Sequence, residues 1–114
     1  MVGSGLKKFA TENGMKVAQG VAYGNLQGFA ATMVDGPNIK VITFATRFAD
    51  PELERQFTQA VNAVDITRTY RVQNLGMNLR TIQVVFQDTI GTMKKIRAFV
   101  EWFIPLLRQY GASA

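Results

Sequence analysis

Near the middle of the chain, Asp50-Pro51-Glu52-Leu53-Glu54 admits one structural reading. Asp50 offers an N-cap acceptor, Pro51 sits where a helix has no use for a backbone donor, and Glu52 and Glu54 meet the positive end of the helix dipole. A helix starts there. Leu53, Phe57, Ala60, Val61 and Val64 follow at helical steps and draw one apolar stripe, with Glu54, Arg55, Gln59 and Asn62 on the other side. The constraint comes from what flanks this helix. Runs of β-formers lie on both sides of it, so a single capped helix must pack on a sheet assembled from two separate groups of strands.

Before the helix, Ile39, Val41, Thr43 and Ala45 alternate with Lys40, Ile42, Phe44 and Thr46, the two-residue period of a strand. Leu26 to Val34 is a second strand, joined to it through Asp35-Gly36-Pro37-Asn38 as a hairpin. Met15 to Tyr23, broken by Gly20 and followed by a turn at Gly24-Asn25, predicts one irregular strand. After the helix, Ile66 to Gln73 and Leu79 to Gln87 form another hairpin across Asn74-Leu75-Gly76-Met77-Asn78. Ser4 to Asn13, stopped by Gly14, predicts a short opening helix, and Asp88 offers a cap for a closing helix running to about Tyr110 before Gly111.

The expectation is a single α+β domain over 1–114, with residues 1–4 flexible and a five-stranded, mostly antiparallel sheet carrying helices, in the order α-β-β-β-α-β-β-α. Strands in runs exclude the strict β-α alternation of a doubly wound nucleotide-binding fold. With the capped helix at Asp50-Pro51 between a three-strand and a two-strand run and a long helix from Asp88, the element order resembles the type III secretion chaperone-like fold, including small bacterial domains of the sensory-transduction-regulator kind. The resemblance implies a non-catalytic domain that binds another protein, often as a dimer. It assigns no binding residue.

The chain has no histidine and no cysteine, which removes disulfides, thiolate zinc sites and His or Cys catalysis together. Its two serines, Ser4 and Ser113, lie near the termini, a poor place for a nucleophile. Asp35, Asp50 and Asp88 are assigned to turns or caps, and Glu52 and Glu54 to a helix start. A carboxylate enzyme would therefore need a polar pocket lined by at least two of Glu12, Asp65 and Glu101. Gly20, Gly24 and Gly28 recur every four residues but match neither phosphate-loop spacing, so turns or bulges account for them. No cofactor or metal is expected.

Thirteen Lys and Arg stand against eight Asp and Glu, and the whole excess lies after residue 65, where seven basic residues face only Asp88 and Glu101. In the closing helix Met93, Ile96, Phe99, Val100, Phe103, Ile104, Leu107 and Tyr110 make a broad apolar face that Trp102 and Leu106 widen further. Pro105 predicts a bend near Glu101. The reading is a protein-interaction domain, homodimeric or docking through this helix and the sheet. Val85, Trp102, Phe103 and Leu106 are the expected contacts, with Arg71 and Arg80 for an acidic partner. The alternative is a nucleic-acid or anionic-membrane surface on Arg68, Lys94, Lys95 and Arg97, with Tyr70 as a stacking platform. No run is long enough to span a membrane and the start lacks a secretory signal, so the expected location is cytoplasmic. The chain stops almost at the end of its last helix, as a piece of a longer protein would.

Overall fold

A computed structural model describes residues 4–64 and 69–113. Among them are three helices, α1 (Ser4–Glu12), α2 (Pro51–Asn62) and α3 (Thr92–Gln109). Seven strands form one sheet: β1 (Lys16–Ala18), β2 (Val21–Leu26), β3 (Phe29–Gly36), β4 (Ile39–Phe48), β5 (Thr69–Gly76), β6 (Leu79–Gln87) and β7 (Ala112–Ser113). The sheet runs β1-β2-β3-β4-β6-β5, every pairing is antiparallel, and β7 pairs with the end of β4. The α+β architecture is as the sequence predicts. The count of five strands and the order α-β-β-β-α-β-β-α are not.

One extra strand comes from a split of the first expected strand and the other is β7 at the chain's end; the turns that set β1, β2 and β3 carry no Asn-Gly or Asp-Gly signature. Gln19-Gly20 and Gln27-Gly28 each place both central residues at positive φ (53° and 79°; 52° and 96°), the geometry of a two-residue hairpin turn matched to strand twist. The expected irregular strand therefore splits at Gly20 into β1 and β2. The turn expected at Gly24-Asn25 lies instead at Gln27-Gly28, and Gly24 sits inside β2 at φ 142°, where a Cβ would come 3.4 Å from the Met15 backbone. Pro37-Asn38 joins β3 to β4 with Asn38 at φ 61°, the sign that the second central residue of a type II turn requires. Met77-Asn78 closes β5 onto β6, so β5 continues three residues past its expected end at Gln73. The expected start of that strand, Ile66 to Arg68, lies outside the described residues.

Helix α2 begins as anticipated. The Asp50 carboxylate accepts from the Glu52 N–H at 2.9 Å and the Leu53 N–H at 3.4 Å, with Pro51 in the first turn. Phe57 and Val61 are buried from its stripe, while Val64 lies beyond the helix end and is exposed. Helix α3 starts later than expected. Its cap is Gly91 at φ 84°, and the Thr92 hydroxyl accepts from the Thr89 N–H at 2.7 Å while facing the Gln87 carbonyl at 2.9 Å. Asp88 is thus no cap. Gly111, at φ 81°, ends α3 and turns the chain into β7, where the Thr46 hydroxyl donates to the Ser113 carbonyl at 2.7 Å.

All three helices lie on one side of the sheet. The register puts Phe44 opposite Ala31 and Ile82, and Ile42 opposite Met33 and Val84. All six are buried in a core that also takes Leu6, Phe9, Phe57, Val61, Ile96, Val100, Phe103, Ile104 and Leu107 from the helices. Phe103 is its hub, with ring centroids 5.3 Å from Phe44, 5.7 Å from Phe57 and 4.8 Å from Phe99. The α3 apolar face is broad because three neighbours cover it. The helix lies between α1, where Arg97 stacks 5.1 Å over Phe9, and α2, where Phe57 meets both Phe103 and Tyr110, as well as on the sheet.

Candidate functional site

Each strand alternates, so the register that buries Phe44 turns the neighbouring residues to the opposite side of the sheet. No described residue on that side is buried. Paired Cα positions align its side chains in rows across the strands. One row reads Ala18, Val21, Val34, Val41 and Val85, from β1 through β2, β3 and β4 to β6. The next, two residues along each strand, reads Lys16, Tyr23, Thr32, Thr43, Gln83 and Arg71, crossing all six strands of the main path. Six strands at a spacing of about 4.8 Å make that row roughly 24 Å long. An apolar band thus runs beside a polar row that ends in a cation on either edge.

At the Arg71 end the surface dips. A depression of about 620 Å³ is lined by Thr43, Arg71, Val72, Gln73, Thr81 and Gln83. A guanidinium, two hydroxyls and two carboxamides converge on it, all able to donate hydrogen bonds. Arg47 also points to this side, near Leu79, and reaches the Met77 carbonyl at 3.3 Å. Among the described residues the charges of this face are Lys16, Arg47 and Arg71, all positive. The described acids lie elsewhere, on α1, α2 and α3 and at the sheet end near Lys40.

The residues singled out from the sequence do not form one site. Val85 and Arg71 stand on the uncovered face. Phe103, expected at the contact, is fully buried, because α1 and α2 flank α3 and take up the apolar girth that the sheet alone would leave open. Trp102 and Leu106 are half-buried on the helix side, opposite Val85, and Trp102 packs against Phe99 and Phe103. Arg80, expected to meet an acidic partner, is held within the molecule. It shares the helix side with Thr46 and pairs with Glu54 of α2 at 2.8 Å and with Asn74 at 3.0 Å. The alternative cationic set is divided too. Lys94 and Lys95 are exposed, Arg97 is bound to Glu12 at 2.8 Å, and Arg68 lies outside the described residues. Tyr70 faces the core from β5, edge-on to Phe103 at 6.4 Å. Burial, then the charge of Glu54, pushes its phenol up to about 12.

A groove of about 270 Å³ between α1 and α3 does join two of the acids a carboxylate enzyme would need, Glu12 and Glu101, with Arg97 and Gln27 beside them. The hydrogen bond from Arg97 holds the Glu12 carboxyl below its usual range, so Glu12 is a charged structural partner and a weak proton acceptor. Asp65 lies outside the described residues, and no group of three metal-ligating side chains occurs among the described residues.

One buried ion site escaped the sequence reading. Lys40, on the core side of β4, pairs with Asp35 at 2.6 Å and Asp88 at 3.3 Å. Burial disfavours its charge, but the hydrogen bonds to Asp35 and Asp88 outweigh that and raise its pKa. The signal was present: a lysine in phase with Ile42 and Phe44 has to find acids. No described helix is long and apolar enough to cross a membrane. Comparison with protein-family models, with curated proteins and with solved structures finds no match to the chain.

Proposed function

We propose that the chain is a non-catalytic protein-interaction domain that docks a partner protein through the uncovered face of its sheet. The observation that carries this reading is the row Ala18, Val21, Val34, Val41 and Val85, an apolar band with no described element above it. Antiparallel sheets that face water on one side carry polar residues there, and a band of aliphatic side chains across five strands departs from that pattern. A polar surround that includes Tyr23 and Arg71 fits the usual interface, an apolar centre with an amphipathic rim.

Three features weigh against catalysis. There is no histidine or cysteine, Glu12 is tied to Arg97, and the depression at Arg71 holds a single ionisable group, Arg71 itself. Nucleic-acid binding is less well supported than protein docking. One aromatic residue, Tyr23, stands on the face, where stacking platforms use several, and the valine band offers bases nothing to pair with.

A photo-crosslinking side chain placed at Thr43, and separately at Lys95 as a control, tests the reading in cells. Position 43 is expected to give a discrete protein adduct that Val41→Glu abolishes, and position 95 none. Adducts from position 95 alone, or adducts to nucleic acid only, would overturn it.

A further inference from the structure

The uncovered face has a chemical polarity that specifies its partner more narrowly. Its fixed charges are Lys16, Arg47 and Arg71, with no described acid among them. No ion pair within the described residues occupies Lys16 or Arg71. Arg71 lines the depression together with Thr43, Val72, Gln73, Thr81 and Gln83. A planar guanidinium flanked by hydroxyl and amide donors matches a carboxylate, which only accepts. Val41 and Val85 begin the apolar band one side-chain step away, roughly 6–7 Å along the strands.

Building on the docking reading above, we propose that the partner is an acidic protein surface. One of its Asp or Glu carboxylates enters the depression at Arg71 while apolar side chains beside that acid lie along Val21, Val34, Val41 and Val85. The required spacing, an acid about 6 Å from an aliphatic side chain, is that of residues four apart on a helix or two apart on a strand. Lys16, at the far end of the polar row, is placed to meet a second carboxylate roughly 24 Å from the first. A second copy of this chain is a poorer occupant, because face-to-face packing would set a face whose described charges are all cationic against itself.

The test titrates three probes into the full chain carrying labelled valine methyls. They are a 16-residue helical peptide with a leucine stripe bordered by glutamates, the same peptide with lysines in their place, and a 20-nucleotide poly-uridine. The glutamate peptide is expected to shift the methyls of Val34, Val41 and Val85 and to bind at least roughly 10-fold more tightly than its lysine counterpart. Arg71→Gln is expected to weaken it by about 5-fold, since one charge-assisted contact is lost, and Lys95→Gln to leave it unchanged. Equal binding of the two peptides would overturn the acidic partner while the docking reading stands. Shifts of these methyls by poly-uridine would overturn it in favour of nucleic acid, and concentration-dependent shifts without any probe would overturn it in favour of self-association. Methyls that respond to nothing would remove both the partner and the docking reading.

Discussion

Strand β4 carries two opposite surfaces on one backbone. Ile42, Phe44, Thr46 and Phe48 are buried under the helices, whereas Ile39, Val41, Thr43 and Ala45 are half-buried by their neighbours in the sheet and no described element lies above them. Both series are largely apolar, so composition alone does not tell them apart. They differ in what the rest of the chain supplies. Three helices cover one side, and the other is left with an aliphatic band beside a cationic polar row. The lesson is that apolar character in a strand marks what must be covered, and the topology decides whether the same chain covers it.

The sharpest way to break this comparison is to truncate both sides of β4. Phe44→Ala removes a fully buried ring that touches Phe103, and a loss of about 3–5 kcal/mol is expected. Val41→Thr on the uncovered side should cost under ~1 kcal/mol. Urea denaturation measures both, and comparable losses would mean that the Val41 side is covered after all. The same pair of variants should part the other way in the glutamate-peptide titration, where Val41→Thr weakens binding.

Next in size is the ion site. Asp35→Ala leaves Lys40 in the core layer with Asp88 as the longer of its two contacts, and ~3 kcal/mol is the expected cost. Because the folded pKa of Lys40 is raised, its contribution is fully present below the unfolded value of 10.5 and is lost as pH climbs through the folded value. Tyr70 acts in the same direction. Its neutral form is the one the fold accommodates, so stability falls between pH 10 and about 12. Unfolding midpoints from pH 8 to 12 should therefore drop steeply for the native chain and less steeply for Lys40→Met and for Tyr70→Phe. An alkaline profile identical in all three would refute both assignments.

Smaller still is the cap of α2. Asp50→Ala removes the acceptor for Glu52 and Leu53 and should cost about 1 kcal/mol, read as a lowered unfolding midpoint with the peptide affinity unchanged. Separation of stability from binding is the point of this variant, since α2 lies on the side of the sheet away from the valine band.

Legibility followed the range of the interactions. The β4 alternation, the Asp50-Pro51 helix start and the Gly111 stop depend on residues within a turn of each other, and all three stand where the pattern puts them. The turns at Gln19-Gly20 and Gln27-Gly28 were hidden because glutamine at positive φ is set by the pairing of the strands it joins. The two-residue strand β7 rests on Thr46 and on the end of β4, more than sixty residues away in sequence, which no local pattern encodes.

The candidate surface divides along the same line. That Val85 and Arg71 belong to strands, and that Phe103 and Trp102 belong to one apolar helix, follows from the order of residues alone. That Val85 and Arg71 share a face with Val21, Val34 and Val41, that Arg80 is spent on Glu54, and that Phe103 disappears beneath two flanking helices was settled only by tertiary structure. The physical reason is that periodicity states which side chains point together, while burial depends on which distant element arrives to cover them.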